Sequence, residues 1–211
     1  MPATSHRHPI AHGFTVAWRL AGASAALALS ACAVSQTPAS KAVYDFGPAT
    51  ARPAVSAPAF TGSLALAEVY ASPALDNTAV HYRLVYANPQ ELRPYALARW
   101  TMPPAQLVQQ RVHNVLAARG PVLAPGIGSA AYTLKLELEE FNQVFNAPDA
   151  SQGVVQLRAT LLKGTSLAAQ RSFSVYASAP SADANGGVKA LSVAADEVAK
   201  QLSDWVGDSM R

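Results

Sequence analysis

An alternation of apolar and polar residues dominates the second half of this 211-residue chain. Across residues 132–138 every second side chain is apolar, which is the two-residue period of a strand with one buried face. The segments 154–162 and 169–177 have a similar strand-forming composition. Turn-forming residues at 146–153 and 163–165 separate the three segments. The sequence therefore predicts three consecutive strands in an antiparallel meander.

Two segments have the three-and-four-residue apolar spacing of amphipathic helices. The first begins at Pro103-Pro104, where the missing N–H groups cost nothing, and is expected to stop at Gly120 with its polar residues, Arg111 among them, facing water. The second runs over 188–205 after a break predicted at 180–187. Packing on the sheet is the favoured interpretation of this second apolar stripe, and partner binding is the alternative.

The first half predicts shorter strands. Segments 43–46, 63–70 and 79–86 are rich in aromatic and branched residues, which favour extended structure. Asn88-Pro89 predicts a turn, followed by a loop that leads to Trp100. The expected fold class is α/β in the sense of mixed α+β, a single domain in which two main amphipathic helices pack on a mixed and largely antiparallel sheet.

The N-terminus has the organisation of a secretory signal that ends in a lipid attachment site. Arg7 and Arg19 precede an uncharged apolar run at 20–31, which is shorter than the ~20 residues of a membrane-spanning helix. The run ends in Leu29-Ser30-Ala31-Cys32, which resembles the bacterial lipobox and contains the only cysteine. We predict a signal peptide at 1–31 and an acylated Cys32, the alternative being an ordinary secretory signal with a coincidental cysteine.

The chain after the signal is predicted to be a tether and one domain. Residues 32–42 are small and polar and form the tether, and residues 43–211 are sufficient for one hydrophobic core. The proline-rich stretch 49–62 is predicted to be a linker or surface loop. Ala33, where an aspartate would favour retention in the inner membrane, favours the outer membrane with the domain facing the periplasm.

Charge and cysteine content exclude several functions. Without Arg7 and Arg19 the chain has 14 basic and 13 acidic residues, a formal charge of +1. Such a domain has no electrostatic footprint for nucleic acid. Because Cys32 is the only thiol, no internal disulfide or cysteine zinc site can form. We expect no metal and no cofactor.

The remaining candidates for chemistry lack the partners that catalysis requires. His81 and His113 are the only histidines after the signal, and neither lies in a triad or metal-ligand spacing. The acidic residues of 137–140 are expected to be solvated. Gly126-Ile127-Gly128 lacks the third glycine of a dinucleotide-binding loop. We therefore expect a protein that is not an enzyme, with an envelope hydrolase as the least favoured function.

Several short motifs occur in a particular order along the chain. They are Tyr44-Asp45-Phe46-Gly47, Val80-His81-Tyr82-Arg83, Arg99-Trp100, Leu134-Leu136-Leu138, Arg171-Phe173 and the terminal helix near Trp205. In these motifs and their order the chain resembles the ABC-type transport auxiliary lipoproteins, a family that includes paraquat-inducible protein C, although Phe46 replaces the leucine that is usual there. The resemblance implies a periplasmic accessory that works with an ABC permease, an ATPase and a protein carrying mammalian-cell-entry domains to move lipids or hydrophobic compounds. It implies no catalytic residue.

Aromatic and arginine residues cluster in sequence around the predicted turn at 88–89, a composition typical of binding hot spots. We predict that this segment contacts the partner transport protein. The alternative is that the rings fill the core beneath the first helix, which is the favoured interpretation for Trp100. The alternative function is a free-standing lipoprotein that binds a ligand or lipid between sheet and helices. The candidate contact residues are Tyr82, Tyr86, Tyr95, Arg99 and Trp100.

Overall fold

The computed structural model describes residues 40–48, 59–124 and 126–211. These residues form an α+β domain with two helices and a sheet of nine strands, which confirms the predicted fold class. The predicted signal peptide and Cys32 lie outside the described residues.

The strands and helices are named here in chain order. They are β1 (Ala42–Tyr44), β2 (Leu64–Leu66), β3 (Tyr70–Ala71), β4 (Ala79–Leu84), β5 (Leu92–Trp100), α1 (Pro104–Ala117), β6 (Val122–Leu123), β7 (Tyr132–Ala147), β8 (Ala150–Lys163), β9 (Ser166–Ser178) and α2 (Ala184–Ser209).

The long strand β7 organises the sheet. One edge pairs antiparallel with β8, which pairs antiparallel with β9, so the predicted meander is confirmed. The other edge pairs in parallel with β2, β3 and β4 in succession. Strand β5 lies antiparallel beside β4, and β1 lies parallel beside β5. The sheet is therefore mixed, with its longest pairings antiparallel.

Three sequence-based strand predictions need correction. The single strand predicted at 63–70 is the two short strands β2 and β3. The connection predicted at 146–153 is only the turn Pro148-Asp149, because β7 and β8 pair up to that turn. The loop predicted to lead to Trp100 is strand β5. Pro94 and a shift in register between β4 and β5 interrupt its pattern, so the alternation that identifies a strand is lost although the segment pairs with β4.

The helices lie close to where the spacing predicts them. α1 starts directly after Pro103, but it is capped at Ala118, so Gly120 does not end it. α2 starts at Ala184, before the predicted end of the break, because the Asp183 carboxylate accepts a 2.7 Å hydrogen bond from the N–H of Gly186 and caps the first turn. This hydrogen bond is the main reason that the pKa of Asp183 is lowered. Among the described residues, no helix has the length and hydropathy needed to cross a membrane.

The core lies between the sheet and the helices. α2 buries Leu191, Val198 and Leu202 completely. It approaches β8 so closely that a Cβ atom at Gly153 would lie 2.6 Å from the backbone of α2. α1 packs against α2. Residues that alternate with the buried ones along the strands point to the opposite face of the sheet, where polar side chains such as Arg158 are exposed. The sheet thus has one apolar face and one polar face.

A buried arginine attaches the first strand to both helices. Arg111 of α1 is 7% exposed, which corrects the expectation that it faces water. Its Nε lies 3.1 Å from Oδ1 of Asp196 on α2, and its Nη2 donates to the carbonyl oxygen of Phe46 at 2.9 Å. The N–H of Thr101 donates to the carbonyl oxygen of Tyr44 at 2.8 Å. The N-terminal entry into the domain is therefore fixed against the core.

Candidate partner-binding surface

Strands β4 and β5 form a hairpin whose tip, residues 85–91, carries the exposed candidate Tyr86. Within the tip, the N–H of Gln90 donates to Oδ1 of Asn88 at 3.2 Å, and Arg83 donates from Nη1 to the carbonyl oxygen of Pro89 at 2.7 Å. Val85 is 39% exposed and Tyr86 is 48% exposed. The tip therefore presents an aliphatic and an aromatic side chain on an internally hydrogen-bonded turn.

Tyr82 and Tyr95 join the hairpin to the body of the sheet. Their ring centroids are 4.5 Å apart, and the ring of Tyr82 also contacts Phe145 of β7 edge-on at 6.0 Å. Both tyrosines are half-buried. Aromatic contacts of this kind contribute about 0.5–1.5 kcal/mol each beyond the area that they bury. Tyr82 and Tyr95 therefore hold the hairpin against the sheet and provide little of its exposed surface.

A buried amide continues this attachment into the core. The Tyr95 hydroxyl donates to Oε1 of Gln143 at 2.8 Å, and Nε2 of Gln143 donates to Oγ of Ser151 at 2.7 Å. Gln143 has no exposed surface. Burial, with smaller contributions from Tyr82 and Asp183, raises the pKa of the Tyr95 phenol, so this group stays neutral and acts as a donor. The sequence does not indicate the role of Gln143, because one amide in an otherwise strand-like segment gives no local sign of burial.

Trp100 lies in the core and Arg99 lies at the surface. The Trp100 side chain is 1% exposed and packs between Phe46 and Phe141, with ring centroids 5.7 and 5.6 Å away. The structure therefore places Trp100 as the core interpretation expects, and its indole does not reach the hairpin surface. Arg99, one residue earlier on β5, is exposed together with Leu97. Of the five candidates, Tyr86 and Arg99 are exposed.

The residues considered for chemistry are dispersed. His113 is exposed on α1, and His81 is half-buried on β4. Glu137 lies 3.7 Å from Arg158, which also pairs with Glu139, so these carboxylates are engaged on the polar face of the sheet. Within the described ranges, no group of three or more histidine, aspartate or glutamate residues could hold a metal ion. The described residues that were considered for chemistry are therefore not brought together at one place in the fold.

Two clefts lie at the surface of the domain. One, of about 340 Å³, is on the polar face of the sheet between Tyr70 and Gln170. The other, of about 440 Å³, lies between β1 and the first half of α2 and is lined by Val43 and Val193 among others. Neither is an enclosed apolar cavity between sheet and helices, which a free-standing lipid carrier would require.

Comparison with solved structures shows the same fold elsewhere. A crystal structure of a Xanthomonas campestris protein is 22% identical, with a TM-score of 0.68 over 80% of this chain and 96% of that one. A crystal structure of an uncharacterized protein is 15% identical, with a TM-score of 0.61 over 79% of this chain and 99% of that one. At these identities the likeness concerns the fold alone.

One protein-family model matches most of the chain. No curated protein matches the chain significantly. The family model of the ABC-type transport auxiliary lipoprotein component matches residues 44–203. The match begins in β1, includes the hairpin, and ends within α2. Because it spans 160 of the 211 residues, the chain belongs to the ABC-type transport auxiliary lipoprotein family.

Proposed function

We propose that the protein is a non-enzymatic lipoprotein of the cell envelope that assists an ABC transporter in moving lipids or other hydrophobic compounds. The observation that carries this proposal is the family match over residues 44–203. In this proposal the permease and ATPase supply the energy, and a protein carrying mammalian-cell-entry domains is the direct partner. The lipoprotein holds that partner in place and performs no chemistry.

We propose in addition that Cys32 carries the lipid and that the protein is anchored in the outer membrane, facing the periplasm. The lipobox-like sequence that ends at Cys32 and the Ala33 that follows it support this part. Stable attachment takes more than one acyl chain, and the modified cysteine of a bacterial lipoprotein provides this. In cells, the protein is expected to incorporate radiolabelled palmitate, and Cys32→Ser is expected to abolish the incorporation and release the protein from membranes. A Cys32→Ser protein that stays membrane-bound would refute the anchor.

The partner contact is proposed to use the hairpin formed by β4 and β5. Tyr86 and Arg99 provide exposed aromatic and guanidinium groups, and Tyr82 and Tyr95 attach the hairpin to the core. Rigid attachment favours binding because less conformational entropy is lost when the partner docks. Tyrosine and arginine are the residue types that dominate binding energy at protein interfaces.

The experiment that tests the function is a pull-down from detergent-solubilised envelopes, with the captured proteins identified. The transporter subunits and the mammalian-cell-entry protein are expected among them. Tyr86→Ala and Arg99→Ala are expected to reduce their recovery severalfold. Tyr176→Ala is the matched control, because Tyr176 is 56% exposed on β9, away from the hairpin. Equal recovery with all three variants would refute the docking surface, and the absence of transporter subunits would refute the function.

A further inference from the structure

The tether enters the domain beside the last residues of β5. β1 pairs with Ala98–Trp100, so Val43 lies opposite Arg99, at the end of β5 that is away from the hairpin tip. The first half of α2 lies beside β1, because Val43, Lys189 and Val193 line the same cleft. We call this end of the domain the tether end.

The length of the tether limits how far this end can lie from a bilayer. Eight peptide steps separate Cys32 from Ser40, the first described residue, and a fully extended chain spans at most about 29 Å over that length. A domain of about 170 residues has a radius of gyration of roughly 15 Å and hence a diameter of roughly 40 Å. If Cys32 is inserted in the membrane, the tether end therefore cannot lie on the side of the domain that is farthest from the lipid.

Apolar and cationic side chains are exposed together at this end. Val43 on β1 is 48% exposed and Val193 on α2 is 60% exposed, and both line the cleft of about 440 Å³. Lys189 lines the same cleft, and Lys41 is exposed two residues before Val43. We call these four residues the tether-end patch. Apolar groups flanked by lysines are typical of surfaces that lie at the headgroup level of a bilayer.

The charges along α2 favour the same orientation. The first half of the helix exposes Lys189 and Val193, whereas the second half exposes three carboxylates and one lysine, a net negative charge. These four residues are Glu197, Lys200, Asp204 and Asp208. Anionic lipid attracts lysines near the surface and repels carboxylates. The carboxylate of Asp45 also lines the cleft, and Asp183 lies at the helix start, but the Asp183 carboxylate is engaged with the N–H of Gly186.

On the basis of the lipid anchor proposed above, we infer that the tether-end patch lies against the anionic surface of the membrane in which Cys32 is inserted. Arg111 and Thr101 hold β1 in place, so the patch does not move independently of the domain. One rigid face thus meets the lipid, and the hairpin has a defined orientation toward the membrane.

The test uses the full lipidated protein in vesicles of phosphatidylethanolamine and phosphatidylglycerol that contain no other protein. An environment-sensitive fluorophore is attached to the introduced thiol of Val193→Cys, since acylation blocks the native thiol. Leu167→Cys is the matched control, because Leu167 is 63% exposed near the turn between β8 and β9, at the edge of the sheet opposite to β1. Flotation of the vesicles measures the anchor, and headgroup spin-labelled lipid quenches any fluorophore at the surface.

The expected result is a blue shift and at least twofold quenching for Val193→Cys, with neither change for Leu167→Cys. Adding Lys189→Glu to Val193→Cys is expected to weaken the quenching. Flotation with an unquenched label on Val193→Cys, or equal quenching at both positions, would overturn the orientation and leave the anchor intact. A protein that does not float would overturn both the anchor and this inference.

Discussion

The hydroxyl group of Tyr95 donates a hydrogen bond to Oε1 of Gln143, a side chain with no exposed surface. This 2.8 Å contact joins the proposed docking hairpin to the strand at the centre of the sheet. It lies beside the first turn of α2, because Gly187 approaches the same amide. One buried polar group therefore adds to the backbone pairing of β4 with β7 in positioning the hairpin.

Tyr95→Phe is expected to lower the free energy of unfolding by about 1–3 kcal/mol, the cost of leaving the buried oxygen of Gln143 without a donor. Urea denaturation measures this change. Tyr86→Phe is the control, because it removes a hydroxyl from the exposed tip, where substitutions usually change stability by less than about 0.5 kcal/mol. Equal effects of the two substitutions would contradict the structural role of the Tyr95 hydroxyl.

Gly187→Ala is expected to destabilise the protein by about 1–3 kcal/mol, although alanine favours helices, since crowding a packed site costs this much. The added Cβ atom would lie 2.0 Å from Oε1 of Gln143, which cannot move without losing two hydrogen bonds. Thermal denaturation with Asn185→Ala as the control separates helix propensity from the clash. In the Gln143→Ala background the cost of Gly187→Ala should fall, and an unchanged cost would show that Gln143 is not the obstacle.

Arg111→Met is expected to cost about 3 kcal/mol, the lower end of the range for a broken buried ion pair, because Asp196 keeps 32% of its side chain exposed. Arg93→Met is the matched control. Arg93 pairs with Glu91 at 2.6 Å, but both side chains are more than 40% exposed, and the denaturation midpoint is expected to stay unchanged. Similar losses in both variants would show that burial does not set the strength of the Arg111 pair.

The stability of the protein is expected to decrease with acidification below about pH 6.5, the ordinary pKa of histidine. Burial lowers the pKa of His81, whose Nδ1 has no hydrogen-bond partner among the described residues. As the pH falls through 6.5, the unfolded chain binds a proton that the folded chain does not, so unfolding is favoured. Above pH 6.5 the imidazole is neutral in both states and this contribution is constant.

Urea midpoints measured between pH 5 and pH 7.5 test this contribution. His81→Gln is expected to flatten the pH profile relative to the parent protein. His113→Gln is the control, because His113 is exposed on α1, and it should leave the profile in place. If His113→Gln flattens the profile and His81→Gln does not, the assignment of the pH dependence to His81 is wrong.

The spacing of apolar residues predicts those strands and helices whose pattern is complete within one segment of the sequence. The meander of β7, β8 and β9 and the apolar stripe of α2 were predicted from spacing alone, since burial of one face leaves a regular pattern. β5 was missed because Pro94 and the register shift remove that pattern, although pairing with β4 keeps the segment extended. Strand lengths were underestimated where pairing continues to a two-residue turn.

The sequence predicts which residue types occur around the hairpin, but it does not predict which of their side chains are exposed in the fold. Sequence grouped Trp100 with Tyr86, but the contacts with Phe46 and Phe141 that bury Trp100 come from distant segments. Arg111 was expected in water for the same reason, since the carbonyl oxygen of Phe46 and the carboxylate of Asp196 meet it only in the folded chain. Whether a polar or aromatic side chain lies inside depends on partners that local patterns do not contain.

The parallel pairing of β1 with β5 affects how a complex would assemble. It places the N-terminal entry of the chain beside Arg99 of the proposed docking hairpin, at the end of β5 that is away from the tip. A molecule held there by lipid diffuses in two dimensions, and a short linker raises the effective concentration of two linked binding sites into the millimolar range. A partner that reaches the same leaflet would therefore encounter the hairpin often enough for a weak interface to stay occupied.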